Sequence, residues 1–204
     1  MTDAPLWQPA PKRIASANLT AFRTAVNASH GLDLPDYAAL YDWSIAEPEA
    51  FWRTLWDWAD VVGERGARTL VEGGRMPGAQ WFPDARLNFA ENLLRRADDT
   101  PAIVFRGEDK VERRLSWREL QAAVSKLAQA LANERVQPGD RVAAFLPNLP
   151  EAVIGMLATA SIGAVWSSCS PDFGVQGVLD RFGQIEPVVL IGCDGYWYNG
   201  KRID

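Results

Sequence analysis

The stretch 138–192 limits the possible fold more than any other part of this chain. PGDRVAAFLPN reads as a turn followed by a strand over residues 141–146, and NLPEAVIGMLATASIGA reads as a helix over 149–162 stopped by Gly163. AVWSS is then a second strand, DFGVQGVLDRFGQIEP a second helix and VVLIG a third strand. Short apolar runs bounded by turn residues suit strands buried on both faces of a parallel sheet. Right-handed crossovers between such strands build a doubly wound α/β layer. Helix starts are marked by Asn148 with Glu151 and Pro150, and by Asp172; Pro187 separates the second helix from the third strand.

Charge and cysteine usage narrow the setting. The 204 residues carry a net charge of −5, which gives no basic footprint for nucleic acid and disfavours an anionic membrane surface. Cys169 and Cys193 fall in or beside predicted strands and read as core thiols of a reducing compartment. No CxxC occurs and His30 is the single histidine, so a zinc site is not expected. MTDAPLWQPAPKR lacks the basic-then-apolar pattern of a signal peptide, and the longest apolar run, 152–166, is short for a bilayer span. A soluble, cytoplasmic chain is expected, with no nucleic-acid or membrane partner.

The first half is helical and rich in tryptophan. Pro5, Pro9 and Pro11 predict extended chain over 1–17. A helix follows over 18–30, with Leu19, Phe22 and Val26 on one stripe and Gly31 as the stop. One or two helical turns are expected within 35–45. A stronger helix covers 48–60, with Phe51, Leu55 and Trp58 on one face and Trp52 and Trp56 paired beside it. Without a basic partner surface these aromatics read as packing, in a segment that wraps a larger body. Residues 63–78 read as a loop, 79–82 as a short strand, and Asn88 with Glu91 opens a helix to about Arg96. Strands at 102–106 and 111–115 form a hairpin around 107–110. Ser116 with Glu119 then caps a helix whose apolar face is Leu120, Val124, Leu127 and Leu131.

Catalytic motifs are missing from the residues themselves. Neither GxGxxG nor GxxxxGK[ST] nor GxSxG occurs, and one distant histidine makes a Ser-His-Asp triad a poor fit. Asp140, Glu151, Asp172, Asp180 and Glu186 lie near predicted element ends, where caps and solvated faces account for them. No catalytic or metal-binding residue is assigned.

Residues 139–164 nevertheless carry the pattern GD.V....PN..E.......A....GA, which resembles the opening of the adenylate-forming acyl-CoA synthetases. PEAFWRTLWDWADV (48–61) and WFPDARLNFAENLL (81–94) resemble the N-terminal region of their acetyl-CoA-synthetase-like branch. VWSSCSPDFGVQGVLDRFGQIEP (165–187) is most similar to the acetoacetate-activating members. The resemblance implies an N-terminal region over 1–98 and the start of the AMP-binding domain over 99–204. It also implies ATP, Mg2+ and coenzyme A as cofactors, and acetoacetate as the substrate activated through an acyl-adenylate. The family's phosphate loop and lid lysine have no match up to Asp204. The chain is therefore expected to be the N-terminal part of a longer ligase, inactive alone, with the remainder of the ligase fold as its partner.

Related enzymes hold the coenzyme A nucleotide on a basic stretch after the third strand. Residues 198–201 match it, making Tyr198 and Lys201 the candidate cofactor-binding residues, although Tyr198 stands where the family often has arginine. A solvated surface residue is the other reading of Lys201. An acetate or propionate ligase, or a non-catalytic shortened relative serving as a binding module, are the alternative functions.

Overall fold

The computed structural model describes residues 7–203 and divides the chain into two compact units, one ending at Leu87 and one beginning at Asn88.

The first unit opens with α1 (Pro11–Ala15), which corrects the expectation of extended chain over 1–17. Pro11 sits in the first helical turn, where a missing N–H costs nothing. Residues 1–6, Pro5 among them, lie outside the described residues. Helix α2 (Asn18–His30) has the expected bounds; Phe22 and Val26 are buried, but Leu19 stays 48% exposed. Helix α3 (Tyr37–Ala46) is longer than expected and is started by the Asp36 carboxylate, which accepts the Ala39 N–H at 2.9 Å. Helix α4 (Pro48–Trp58) packs Phe51 and Leu55 against Phe22, Val26 and Leu40. The Phe22 ring meets Phe51 and Trp58 edge-on at 5.6 and 5.2 Å. Strands β1 (Leu70–Val71) and β2 (Gln80–Trp81) pair antiparallel. Trp52 meets Trp81 at 5.6 Å and Trp56 meets Phe82 at 5.0 Å. Trp43 packs against the buried Phe22, Val26 and Leu40, while Trp7 stays 68% exposed; this unit thus has a core of its own that its loose sequence pattern does not suggest.

In the second unit, α5 (Phe89–Leu93) starts where the Asn88 side chain accepts the Glu91 N–H at 3.1 Å, and it stops short of Arg96. Strands β3 (Pro101–Gly107) and β4 (Val111–Ser116) form the expected hairpin. Helix α6 (Trp117–Asn133) begins on a complete capping box between Ser116 and Glu119, and it buries Leu120, Val124 and Leu131. The α/β layer follows as β5 (Arg141–Phe145), α7 (Pro150–Ser161), β6 (Val165–Cys169), α8 (Val175–Phe182) and β7 (Val189–Gly192). Its order is β6-β5-β7, all parallel, with Val142 opposite both Trp166 and Val189. Two short strands, β8 (Tyr196–Tyr198) and β9 (Lys201–Ile203), close the described chain as a hairpin.

Alternation along β5 separates the two faces. Val142 packs with Ile154 and Leu157 of α7 and Leu131 of α6, whereas Ala143 packs with Phe182 and Val178 of α8. The two crossover helices thus cover opposite faces, as a doubly wound layer requires. Burial of all three strands on both faces is not observed. Val142, Ala143 and Ala144 are fully buried, but Val165 of β6 and Leu190 of β7 are half exposed. Among the described residues only β5 has a strand on each side, and β6 and β7 are the edges of the three-stranded sheet.

Two caps differ from expectation. Helix α7 begins at Leu149 with no side-chain cap; Pro150 fills its first turn, and Glu151 instead pairs with Arg113 at 2.6 Å. Helix α8 begins at Gly174, while Asp172 bonds to Ser170. Pro150 and the small residue Gly174 suffice at these starts, which leaves both carboxylates free for other partners. Gly163, at φ 76°, takes the left-handed position that ends α7. Among the described residues no helix is long and apolar enough to cross a membrane.

Candidate functional site

Open α/β sheets bind ligands in the crevice beyond the carboxyl ends of their strands. Here segments 146–149, 170–174 and 193–195 leave that edge after β5, β6 and β7. The segment after β6 is held by its own side chains: Ser170 Oγ donates to Asp172 Oδ2 at 2.8 Å, and the Asp172 N–H donates to Ser170 Oγ at 3.3 Å. The Tyr196 phenol is pushed above its ordinary range, first by burial and then by the negative charge of Asp172. Tyr196 therefore remains a neutral hydrogen-bond donor at the same edge.

The β8–β9 hairpin brings the two sequence-predicted residues together. Tyr198 is the cross-strand partner of Lys201, and only Asn199 and Gly200 lie between them. Both turn residues have positive φ, 51° and 72°, as a tight two-residue hairpin turn requires. Tyr196, Tyr198, Lys201 and Ile203 share one face of the ribbon; Trp197 and Arg202 share the other. Tyr198 is 57% exposed and Lys201 is exposed. A ring and an ammonium group side by side on an open face suit a ligand that joins a planar base to an anion.

One contact at this turn has no sequence signal. The Gly200 N–H donates to Glu108 Oε2 at 2.8 Å, across 92 positions of sequence. Glu108 lies in the β3–β4 turn with φ 54°. The hairpin itself does have a signal, since the Asn199-Gly200 pair after the aromatic run Tyr196–Tyr198 is a short-range turn pattern.

The remaining candidates resolve into structural roles. Asp140 accepts the Gln137 N–H at 2.8 Å, and Asp180 accepts from Gln176 Nε2 at 2.7 Å. Cys169 is buried at the end of β6 and its thiol is pushed up by that burial, so it is a poor nucleophile; it and Cys193 are both free thiols. In the first unit His30 Nε2 lies 2.8 Å from Thr54 Oγ1, and its ring packs on Trp43 at 5.0 Å.

Two family models match this chain and overlap over residues 89–93. Residues 89–201 match the AMP-binding enzyme family, and residues 37–93 match the acetyl-coenzyme A synthetase N-terminus. The chain is 54% identical over 202 residues to acetoacetyl-coenzyme A synthetase of Rhizobium meliloti, covering 99% of this chain and 31% of that protein. It is 37% identical over 205 residues to malonamoyl-CoA synthetase vrtB of Penicillium aethiopicum, covering 96% of this chain and 28% of that protein. Among solved structures, acetoacetyl-CoA synthetase from Streptomyces lividans superposes with a TM-score of 0.90 at 47% identity, covering 98% of this chain and 32% of that one. The chain thus spans under a third of the length of these relatives.

Proposed function

The chain belongs to the AMP-binding enzyme family, and from that premise we propose that it serves as the N-terminal part of an ATP-dependent acetoacetate–CoA ligase. The observation that carries this reading is agreement along nearly the whole chain, in sequence and in fold, with acetoacetyl-CoA synthetases. In the proposed reaction a carboxylate oxygen of acetoacetate attacks the α-phosphorus of ATP, and pyrophosphate leaves. The thiolate of coenzyme A then attacks the acyl carbonyl of the adenylate, and AMP leaves. Both steps depend on holding charged reactants in place, which is where such folds supply most of their rate.

This chain would contribute the N-terminal region (1–98), the first layer of the AMP-binding domain (99–204) and one contact surface. On that surface Tyr198 stacks on the adenine of coenzyme A, and Lys201 acts as a point-charge partner for one of its phosphates. The family uses Mg2+ with ATP. The described residues contain no group of three or more His, Cys, Asp or Glu side chains fit to hold a metal ion, so no metal-dependent step is assigned to them.

The malonamoyl-CoA relative favours a second reading in which the acid is another short β-carbonyl carboxylate. Competition among acetoacetate, malonamate, acetate and propionate in the full-length protein tests the choice. The first reading predicts a kcat/KM for acetoacetate at least about tenfold above the others, roughly 1.4 kcal/mol of transition-state preference. Equal or better use of acetate or propionate contradicts it.

A further inference from the structure

We infer that Glu108 is a positioning residue for the β8–β9 turn, holding Tyr198 and Lys201 where coenzyme A meets them; this rests on the reading of those two residues given above. In a two-residue hairpin turn, the flanking pair, here Tyr198 and Lys201, exchanges the last ladder bonds. The N–H of the second turn residue has no partner within such a ribbon. In this molecule that orphan donor is Gly200, and the Glu108 carboxylate accepts it at 2.8 Å.

The tether has an evident physical purpose. Strands β8 and β9 are three residues each, and among the described residues they pair only with one another. A two-stranded ribbon of that size is marginal in water. Its turn is therefore ordered by whatever grips it from outside. The gripping group stands on a longer hairpin: β3 and β4 pair over six positions, and Lys110 N–H closes their turn onto Gly107 O at 3.1 Å. A carboxylate bonded to a backbone N–H makes a charge-assisted hydrogen bond, stronger than a neutral one. The same carboxylate is an anion beside the residue that would hold a phosphate, so its charge opposes the ligand while its bond orders the site. Those two effects are separable, because glutamine keeps an acceptor oxygen and loses the charge.

The experiment uses the full-length protein with Glu108→Ala, Glu108→Gln and Lys201→Ala. It measures the KM for coenzyme A, acetoacetate-dependent pyrophosphate exchange without coenzyme A, and hydrogen exchange over 196–203. Glu108→Ala is expected to speed exchange over the hairpin and to raise the KM for coenzyme A about fivefold, less than a buried charged hydrogen bond would give because this one is exposed. Pyrophosphate exchange should be unchanged, and Glu108→Gln should have a KM for coenzyme A at or below wild type. Unchanged hydrogen exchange in Glu108→Ala overturns the inference, as does an equal fall in both half-reactions. A raised KM in Lys201→Ala with none in Glu108→Ala overturns the positioning role alone. No change in either variant overturns the coenzyme A reading along with it.

Discussion

The Trp166 indole lies directly over Gly155: a methyl group placed on Gly155 would stand 2.5 Å from the indole tip. This contact joins α7 to β6, and Trp166 is packed against the main core cluster. Alanine would gain about 1 kcal/mol of helix propensity at this position, but overpacking a core contact costs roughly 1–3 kcal/mol. The clash should win. Gly155→Ala is expected to lose about 1 kcal/mol net and to lower Tm by about 2–4 °C. Combining it with Trp166→Leu should cost less than the sum of the two changes, because the second removes the clash. A more stable Gly155→Ala protein would show that the indole is free to move.

Acid should weaken the fold through three carboxylates. Asp98 is held below its ordinary range by hydrogen bonds from Arg96 and Thr100, Asp84 by Arg68, and Glu119 by the Ser116 N–H and hydroxyl. Each binds its proton less tightly when folded than when unfolded. Its contribution is present above the unfolded pKa, near 4, and is lost as pH falls through the folded value. The urea midpoint should be level between about pH 7 and 5 and should fall below about pH 4. The fall should be shallower in Asp98→Asn. A midpoint that rises on acidification contradicts the assignment.

Much of this architecture is legible in the sequence because it rests on local rules. The bounds of α2, the Ser116–Glu119 capping box and the β3–β4 hairpin follow from periodicity and turn residues. Where expectation and structure part, the deciding contact is distant in sequence or chosen among near-equals. Glu151 has Arg113, 38 positions away, as its partner, so its capping pattern with Asn148 is not used. The edge exposure of Val165 and Leu190 depends on strand order, which a run of apolar residues does not encode. Tyr198 and Lys201 are recognisable only through family likeness, and Glu108 not even so, because its partner is a backbone N–H in another hairpin.

Lys201→Ala tests the coenzyme A surface in the full-length protein. A charged hydrogen bond contributes roughly 1.5–3 kcal/mol, and exposure puts this one at the low end. The apparent affinity for coenzyme A should fall about tenfold, or roughly 1.4 kcal/mol, while acetoacetate-dependent pyrophosphate exchange stays level. Loss of both half-reactions together would mean that Lys201 supports the fold; loss of neither would remove it from the site.

The most direct measurement is exchange of labelled pyrophosphate into ATP by the full-length protein, with acetoacetate present and coenzyme A withheld. An adenylate formed before the thiol enters requires exchange that depends on acetoacetate and not on coenzyme A, with AMP and acetoacetyl-CoA appearing once coenzyme A is added. Exchange that needs coenzyme A, or turnover yielding ADP and phosphate, would contradict the two-step account.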